Sequence, residues 1–418
     1  MTPPVTPDPS ALPQLTVTTR PLEQDSPLLN HLDRERPTVW LRRGNGLVGI
    51  GETLRLDFSG PARFTRASVT WADLAARAAI DDTVQLAGTG LIAFGTFAFD
   101  DESAATSTLL VPSMILGRRD GIAWVTTITH GADASPTLPA PHPVTGSAAA
   151  TFGAGTLDSH GYLDAVGSAI ARIREGAVNK IVVARDLRAT LRDAQDLPRA
   201  ITSLAHGYPD CWTFAVDGFF GSSPETLVTV LGGAVTARVL AGSAARGADA
   251  ASDVEASVAL STSTKDQDEH EFAVHSVVAA LRRHGTVTAS EVPFTLKLPN
   301  LWHLASDVAG TLTDGSTSLD LIAALHPTAA VAGTPTPDAI AAIRELEPFD
   351  RERYAGPVGW VGADGDGEWA IALRCAQVHP DGTITAWAGA GIVGDSVPAH
   401  ELAETTMKFR PIVEAFGG

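Results

Sequence analysis

Two kinds of hydrophobic pattern alternate along the chain, and their order predicts its architecture. Short β-rich runs fill Thr38 to about Thr129: TVWLRR, LVGIGETLRLDF, LIAFGTFAF and GIAWVTTI. Between them TWADLAARAAI repeats its apolar residues at helical spacing, with Thr70 as the opening residue. YLDAVGSAIARIREG predicts an amphipathic helix and KIVVARDLRATL a strand, while Leu227 to Gly242 reads as a hairpin turned at Gly232-Gly233. Further helices are predicted over roughly Ser263 to Arg283 and Pro398 to Phe416. The meander between them runs through PVGWVG, EWAIALRCAQV and TITAWAGAGIV, with turns at ADGDG and HPDG. Strands joined by tight turns pair antiparallel, so the expected class is α+β, a large antiparallel sheet with helices outside.

Residues 1–20, rich in Pro and Thr, predict a frayed tail. The Pro-, Gly-, Ala- and Ser-dense segment from His130 to Gly155 fits a linker or an inserted surface loop. The chain has 418 residues, 44% hydrophobic and 19% charged, which is enough for a large core and argues against disorder. Acidic residues number 48 against 30 Lys plus Arg, a net charge of −18 that would repel a nucleic acid backbone. No long apolar stretch predicts a membrane span, and the opening MTPPVTPDPSALPQ lacks the pattern of a secretory signal, so a cytoplasmic location is expected. Cys211 and Cys375 alone make neither a disulfide framework nor a cysteine metal site. A small anionic substrate would have to be held by local cations against the protein's own field.

Two motif matches fail on context. GAGIVG at Gly389 to Gly394 fits G-x-G-x-x-G, but DSVP follows where a Rossmann unit needs a helix and a second parallel strand. A tight loop whose bare amides approach an anion is expected there instead. HEFAVH, from His270 to His275, has one residue too many for a zinc-binding helix, since i, i+5 sets the two imidazoles about 140° apart.

The acidic positions carry more. Asp266 and Glu269 stand three apart on one predicted helix, and Glu401 and Glu404 three apart on another, with Lys408 one turn beyond Glu404. Each set projects from one helix face. Converging carboxylates would suit Mg2+, which keeps several waters, although a solvated acidic face has the same spacing. Lys180 precedes the apolar IVVA, and Glu225 sits just before a strand in SSPETLV. Arg374 interrupts IALRCA, where a guanidinium needs an anionic partner. A buried lysine at such a strand start can serve as a base. Taken alone, Lys180 reads as solvent-facing and His303, in LWHLAS, as a satisfied core residue.

In order, NKIVVAR, SSPETLV, LAGSAARG, STKDQDEHEF, LWHLAS, LHPTAAVAGTP, FDRERYAGPVGW, ALRCA, WAGAGIV and ELAETTMK resemble blocks of the chorismate-utilising enzymes, specifically the isochorismate synthases. They run from Asn179 to Lys408, over half the chain. The resemblance implies a single domain over 21–418, with its catalytic portion at about 156–418. Its fold would be two stacked antiparallel β-sheets flanked by helices around a deep central cleft, and the segment from His130 becomes an internal loop or crossover. The implied activity is that of an isomerase converting chorismate to isochorismate, with Mg2+ as cofactor. Lys180 would activate water as base and Glu225 would protonate the leaving hydroxyl. Glu269 and Glu404 would hold Mg2+ directly, with Asp266 and Glu401 acting through water. Arg374, Tyr354, Gly389 and Lys408 would bind the substrate carboxylates, and Gly242, Ser243, His303 and Ala330 would line the ring pocket.

Within the family, Lys180 argues against the ammonia-using anthranilate and aminodeoxychorismate synthases, so no glutamine amidotransferase subunit is expected, and a monomer is. His326 stands where salicylate synthases usually carry Phe, which favours a reaction that stops at isochorismate. Val331-Ala332 and the run from Tyr354 through Val358 are of the menaquinone-branch type rather than the siderophore type. Three positions depart from the family pattern: Ala245 and Gln267 stand where arginine is common, and His400 where glycine is. None removes a catalytic group. A non-catalytic chorismate-binding relative is the contrasting reading, and the presence of both Lys180 and Glu225 speaks against it.

Overall fold

The structure, a computed structural model, describes residues 12–418 apart from 24–25, 132, 135, 194–195 and 298–300, and leaves the side chains of Ser243, Lys265, Glu269 and Leu301 undescribed. Among the described residues the strands form a 13-stranded and a 10-stranded sheet, with Leu15–Pro21 and Ala79–Asp82 as the parallel neighbours in otherwise antiparallel pairings. The α+β class with two large antiparallel sheets is as expected. N-terminal strands extend both sheets: Thr38–Arg42 pairs Trp212–Val216 in the larger, and Ile92–Thr96 pairs Pro357–Gly362 in the smaller. No described helix is long and apolar enough to cross a membrane.

The two sheets share one core. Pro357–Gly362 and Gly367–Ile371 are buried at every position, because one face meets the larger sheet and the other lies under helix Ser318–Leu325. Glu368 ties the layers together. Its Oε2 accepts from the indole Nε1 of Trp40 (3.1 Å), on the larger sheet, and of Trp360 (3.0 Å), on its own. Its Oε1 accepts from Arg119 of the larger sheet at 3.0 Å. A second core lies outside the larger sheet, under helices Asp196–Gly207 and Pro398–Ala415.

Several boundaries differ from those expected. Thr70 is not a helix start: the helix is Arg63–Arg77, because the apolar stripe Phe64, Ala67, Trp71, Leu74 begins a full turn and more upstream, and Thr70 itself is buried. The expected tail is a strand over Leu15–Pro21, whose alternating Leu15 and Val17 are fully buried against Ile122–His130; residues 1–11 lie outside the described residues. The segment from His130 is an internal strap rather than a linker. His142 N donates to Asn30 O (2.7 Å) and Ala150 N to Phe416 O (3.2 Å), and Leu138, Ala150 and Phe152 pack on the second core. The helix expected over Ser263 to Arg283 is present as Thr264–Leu281, capped by the side chain of Ser263 on Asp266 N, and a further helix not expected, Ala250–Thr262, precedes it. GAGIVG is no tight loop, since Gly389 and Gly391 lie inside strand Thr383–Ile392.

The run EWAIALRCAQV breaks in two, and this break positions the site. Gly367–Ile371 belongs to the smaller sheet and Cys375–Val378 to the larger, so the chain changes sheet across Ala372 to Arg374, where Arg374 takes a left-handed φ of 50°. It changes sheet in the other direction between Phe219–Ser223 and Thr226–Leu231, at Pro224-Glu225. The two switches bond to each other: Ser222 N donates to Arg374 O (3.1 Å) and Ile371 N to Glu225 O (3.0 Å).

Glu368→Ala would leave two buried indole N–H groups without an acceptor and is expected to cost about 3 kcal/mol. Urea denaturation checks this; a change within about 0.5 kcal/mol would show that the cross-sheet bonds contribute nothing net.

Candidate active site

Glu225 and Arg374, one from each switch, face a common cavity of about 300 Å3. Each keeps accessible surface toward the cavity and is otherwise enclosed by protein. Burial pushes the Glu225 carboxyl up to about 7, against the opposing charges of Lys408, Lys180 and Arg374. Burial also lowers the Arg374 guanidinium from its ordinary value, against the raising influence of Tyr354, Cys211, Glu404 and Glu225. Among the described residues no carboxylate forms an ion pair with Arg374, so its donors are available to whatever enters the cavity.

Lys180 reaches the same cavity from the start of strand Lys180–Thr190, where it pairs with Thr334. Its side chain crosses the neighbouring strand at Gly391, where any Cβ would lie 2.9 Å from Lys180 Cε. The glycine pattern that mimicked a dinucleotide fingerprint therefore makes room for a lysine. Lys408 is buried beneath the cavity, its Nζ 2.6 Å from Glu404 Oε1 and donating to Gly389 O at 2.9 Å. Burial lowers the Lys408 ammonium; burial would raise Glu404, but Lys408 and Arg374 outweigh it and hold that carboxyl low.

Helix Pro398–Ala415 presents Glu401 and Glu404, and helix Thr264–Leu281 presents Asp266, to the same space. Burial first, and then the Glu404 charge, raises Glu401. The two helices thus converge as their spacing suggested, although the Glu269 side chain lies outside the described residues. Among those that are described, no three His, Cys, Asp or Glu side chains come together closely enough to hold an ion by themselves. His303, Ala330, Tyr354, Gly389 and Gly242 complete the wall, and the Ser243 side chain is again outside the described residues. Gly242 sits at a bulge between Ala241 and Ser243 with φ +76°, and its carbonyl accepts from His303 Nδ1 at 3.2 Å. Burial drives His303 down to about 4, so its ring is neutral near pH 7.

A buried ion pair supporting the site was not singled out in the sequence. Strand Lys180–Thr190 is paired along one edge, but on the other its backbone partners stop with Val182 N on Ala332 O (2.9 Å) and resume only with Gly155 N on Asp186 O (3.2 Å). In the gap Arg351 Nη2 donates to Val182 O (2.8 Å) and Glu347 Oε1 accepts from Ala184 N (2.7 Å), while the two side chains bond each other at 2.6 and 2.8 Å. Arg351 also donates to Val331 O (2.8 Å) and lies over the Phe99 and Tyr354 rings. Side chains here replace a missing strand. The available signal was the i, i+4 spacing of Glu347 and Arg351 ahead of the tyrosine.

These groups on two stacked antiparallel sheets define a chorismate binding enzyme: the chain matches that family over residues 29–417 and belongs to it. It is 40% identical over 269 residues to the isochorismate synthase DhbC of Bacillus subtilis, covering 61% of this chain and 67% of that protein. It is 34% identical over 346 residues to the putative isochorismate synthase MenF of Mycobacterium tuberculosis, covering 79% and 87%. The solved structure of MenF, the menaquinone-specific isochorismate synthase from Escherichia coli, superposes with a TM-score of 0.79 at 25% identity, over 96% of this chain and 95% of that one.

The Glu225 carboxyl is expected to titrate with a midpoint near 7, and Lys408→Met, which removes the largest opposing charge, to move it upward. Carbon-13 NMR of labelled glutamate, assigned with Glu225→Gln, reads both; a midpoint at the ordinary carboxylate value would show that the cavity does not desolvate the group.

Proposed function

We propose that the protein is an isochorismate synthase, a Mg2+-dependent isomerase that converts chorismate to isochorismate. The observation that carries this is the cavity's charge pattern: a buried guanidinium without a carboxylate partner beside a carboxyl that stays protonated to about pH 7 and a lysine. A dicarboxylate supplies the anion that Arg374 lacks. A site meant only to bind it has no need of a protonated acid opposite a lysine. The names of the relatives support the same activity.

In this mechanism Arg374 and the Tyr354 hydroxyl take a substrate carboxylate, and the neutral His303 packs beside the ring. Lys180 accepts a proton from the water that attacks C2, and Glu225 gives its proton to the C4 hydroxyl. The C2–O bond forms as the C4–O bond breaks, and the ring diene shifts between them, so one water enters and one leaves. The residues also fit Mg2+: all donors are oxygens from two facing helices, and Glu401 and Glu404 are crowded enough that each disfavours the other's charge, which a dication relieves. Glu404 and Glu269 would hold the ion directly and Asp266 and Glu401 through water. When bound it would supply positive charge facing a substrate carboxylate.

His326 favours stopping at isochorismate over elimination of pyruvate. Tyr354 and the Val331-Ala332 pair favour the menaquinone branch, while the relatives divide between DhbC and MenF. Lys180, which serves water, makes a glutamine amidotransferase unnecessary.

Purified protein given chorismate and Mg2+ is expected to form isochorismate, with Mg2+ chelation stopping it. Strong salicylate fluorescence would instead assign a salicylate synthase. Glu225→Gln should lower kcat by roughly 10²–10⁴ and abolish the fall of kcat/KM above about pH 7, the limb on which the acid loses its proton. Lys180→Ala should lose turnover yet still bind chorismate; an unmodified protein that binds without turnover would be a non-catalytic relative. Deleting the gene should abolish menaquinone, and loss of a catechol siderophore instead would reassign the branch.

A further inference from the structure

Beside the substrate cavity lies a second one of about 250 Å3, which shares Lys180, Glu225, Leu240, Ala241 and Ala330 with it. Its remaining wall is mostly apolar, built from helix Thr264–Leu281 (Ala273, Val277, Ala280) and helix Ser318–Leu325 (Ala324, Leu325). The exposed residues Ser276 and Ala324 on its wall mark where it meets solvent.

Arg374 separates the two cavities. Arg374 and Lys408 line the first and not the second. The one arginine on the second wall, Arg238, is held by Asp307 through bonds of 2.6 and 3.1 Å, so the second cavity has no counterpart of Arg374, which no described carboxylate pairs. What the second cavity does offer is hydrogen bonding to water. Thr328 Oγ1, on its wall, is buried and has no partner among the described residues. Buried hydroxyls of this kind are normally satisfied by water. Thr334, Thr336 and His326 lie on the same wall, with His326 Nε2 fixed on Phe99 O at 2.8 Å.

We propose that the second cavity is the water passage of the enzyme, admitting the nucleophile to Lys180 and releasing the water formed at Glu225, while chorismate uses the cavity that holds Arg374. The passage presupposes the isochorismate synthase activity proposed above. Each turnover consumes a water, whose oxygen bonds to C2 and whose proton goes to Lys180. It also releases one, from the C4 hydroxyl and the Glu225 proton. With the substrate seated in the first cavity, the second touches both groups without crossing the ring.

Ala324→Phe and Ser276→Trp narrow the mouth without touching the substrate cavity, and Ala324→Ser leaves it open. The narrowed variants are expected to lose at least about fivefold in kcat with KM for chorismate within about twofold, and Ala324→Ser to match the unmodified enzyme. The reaction run in water enriched in oxygen-18 gives a readout that general destabilisation would not move. At initial rates the unmodified enzyme should place solvent oxygen at C2. The narrowed variants should retain a measurable share of ordinary oxygen there, because water expelled from C4 is reused before it escapes. Thermal unfolding and chorismate binding establish that each variant is folded, and either narrowing variant suffices. Unchanged kcat and full solvent label in a folded narrowed variant overturn the passage alone. A rise in KM without a change in kcat or label assigns the mouth to chorismate and also overturns it. Absence of turnover in the unmodified protein overturns the activity, and the passage with it.

Discussion

A strand that leaves one sheet for another gives up its ladder partners, and its freed backbone groups must be satisfied elsewhere. This chain does so twice in adjacent places, at Pro224-Glu225 and at Ala372 to Arg374, and the two breaks satisfy each other through Ser222 N to Arg374 O and Ile371 N to Glu225 O. Side chains at such points belong to neither sheet's packed face. They project into the space between the sheets, which is how a carboxyl and a guanidinium come to be enclosed by protein yet open to a cavity. Glu225's raised titration and Arg374's lack of a carboxylate partner both follow from that placement.

The rest of the site is arranged around those two groups. The larger sheet brings in Lys180 over Gly391, with Glu347 and Arg351 standing in for a missing strand so that the lysine-bearing segment is bonded on both edges. Helix Pro398–Ala415 brings Lys408, which lies buried under Gly389 and paired with Glu404. A chain of net charge −18 thus keeps three basic side chains, Lys180, Arg374 and Lys408, at one cavity, and Arg374, which no described carboxylate pairs, gives an anion a local partner against the protein's own field.

Much of this was legible in the sequence. The hairpin at Gly232-Gly233, the closing helix and the paired spacing of acids on two helices are local patterns, and local patterns survive folding. Twelve of the residues singled out line one cavity, from Lys180 and Glu225 through Glu404 and Lys408, while the side chains of Ser243 and Glu269 lie outside the described residues. Features set by tertiary geometry were not legible. EWAIALRCAQV looks like one strand because both its halves are buried, and nothing local says that they are buried in different sheets. Leu15–Pro21 looked like a tail because its Pro-rich preface masked a short alternation, and Glu347 with Arg351 was not singled out, because their burial is set by the strand they pack against.

The most direct test of the account is a crystal structure of the protein with isochorismate and Mg2+. It should place one substrate carboxylate on Arg374 and the Tyr354 hydroxyl, with the ring edge between Lys180 and Glu225. A ligand whose carboxylates avoid Arg374, or one that lies away from both sheet switches, would contradict the claim that the switches build the active site.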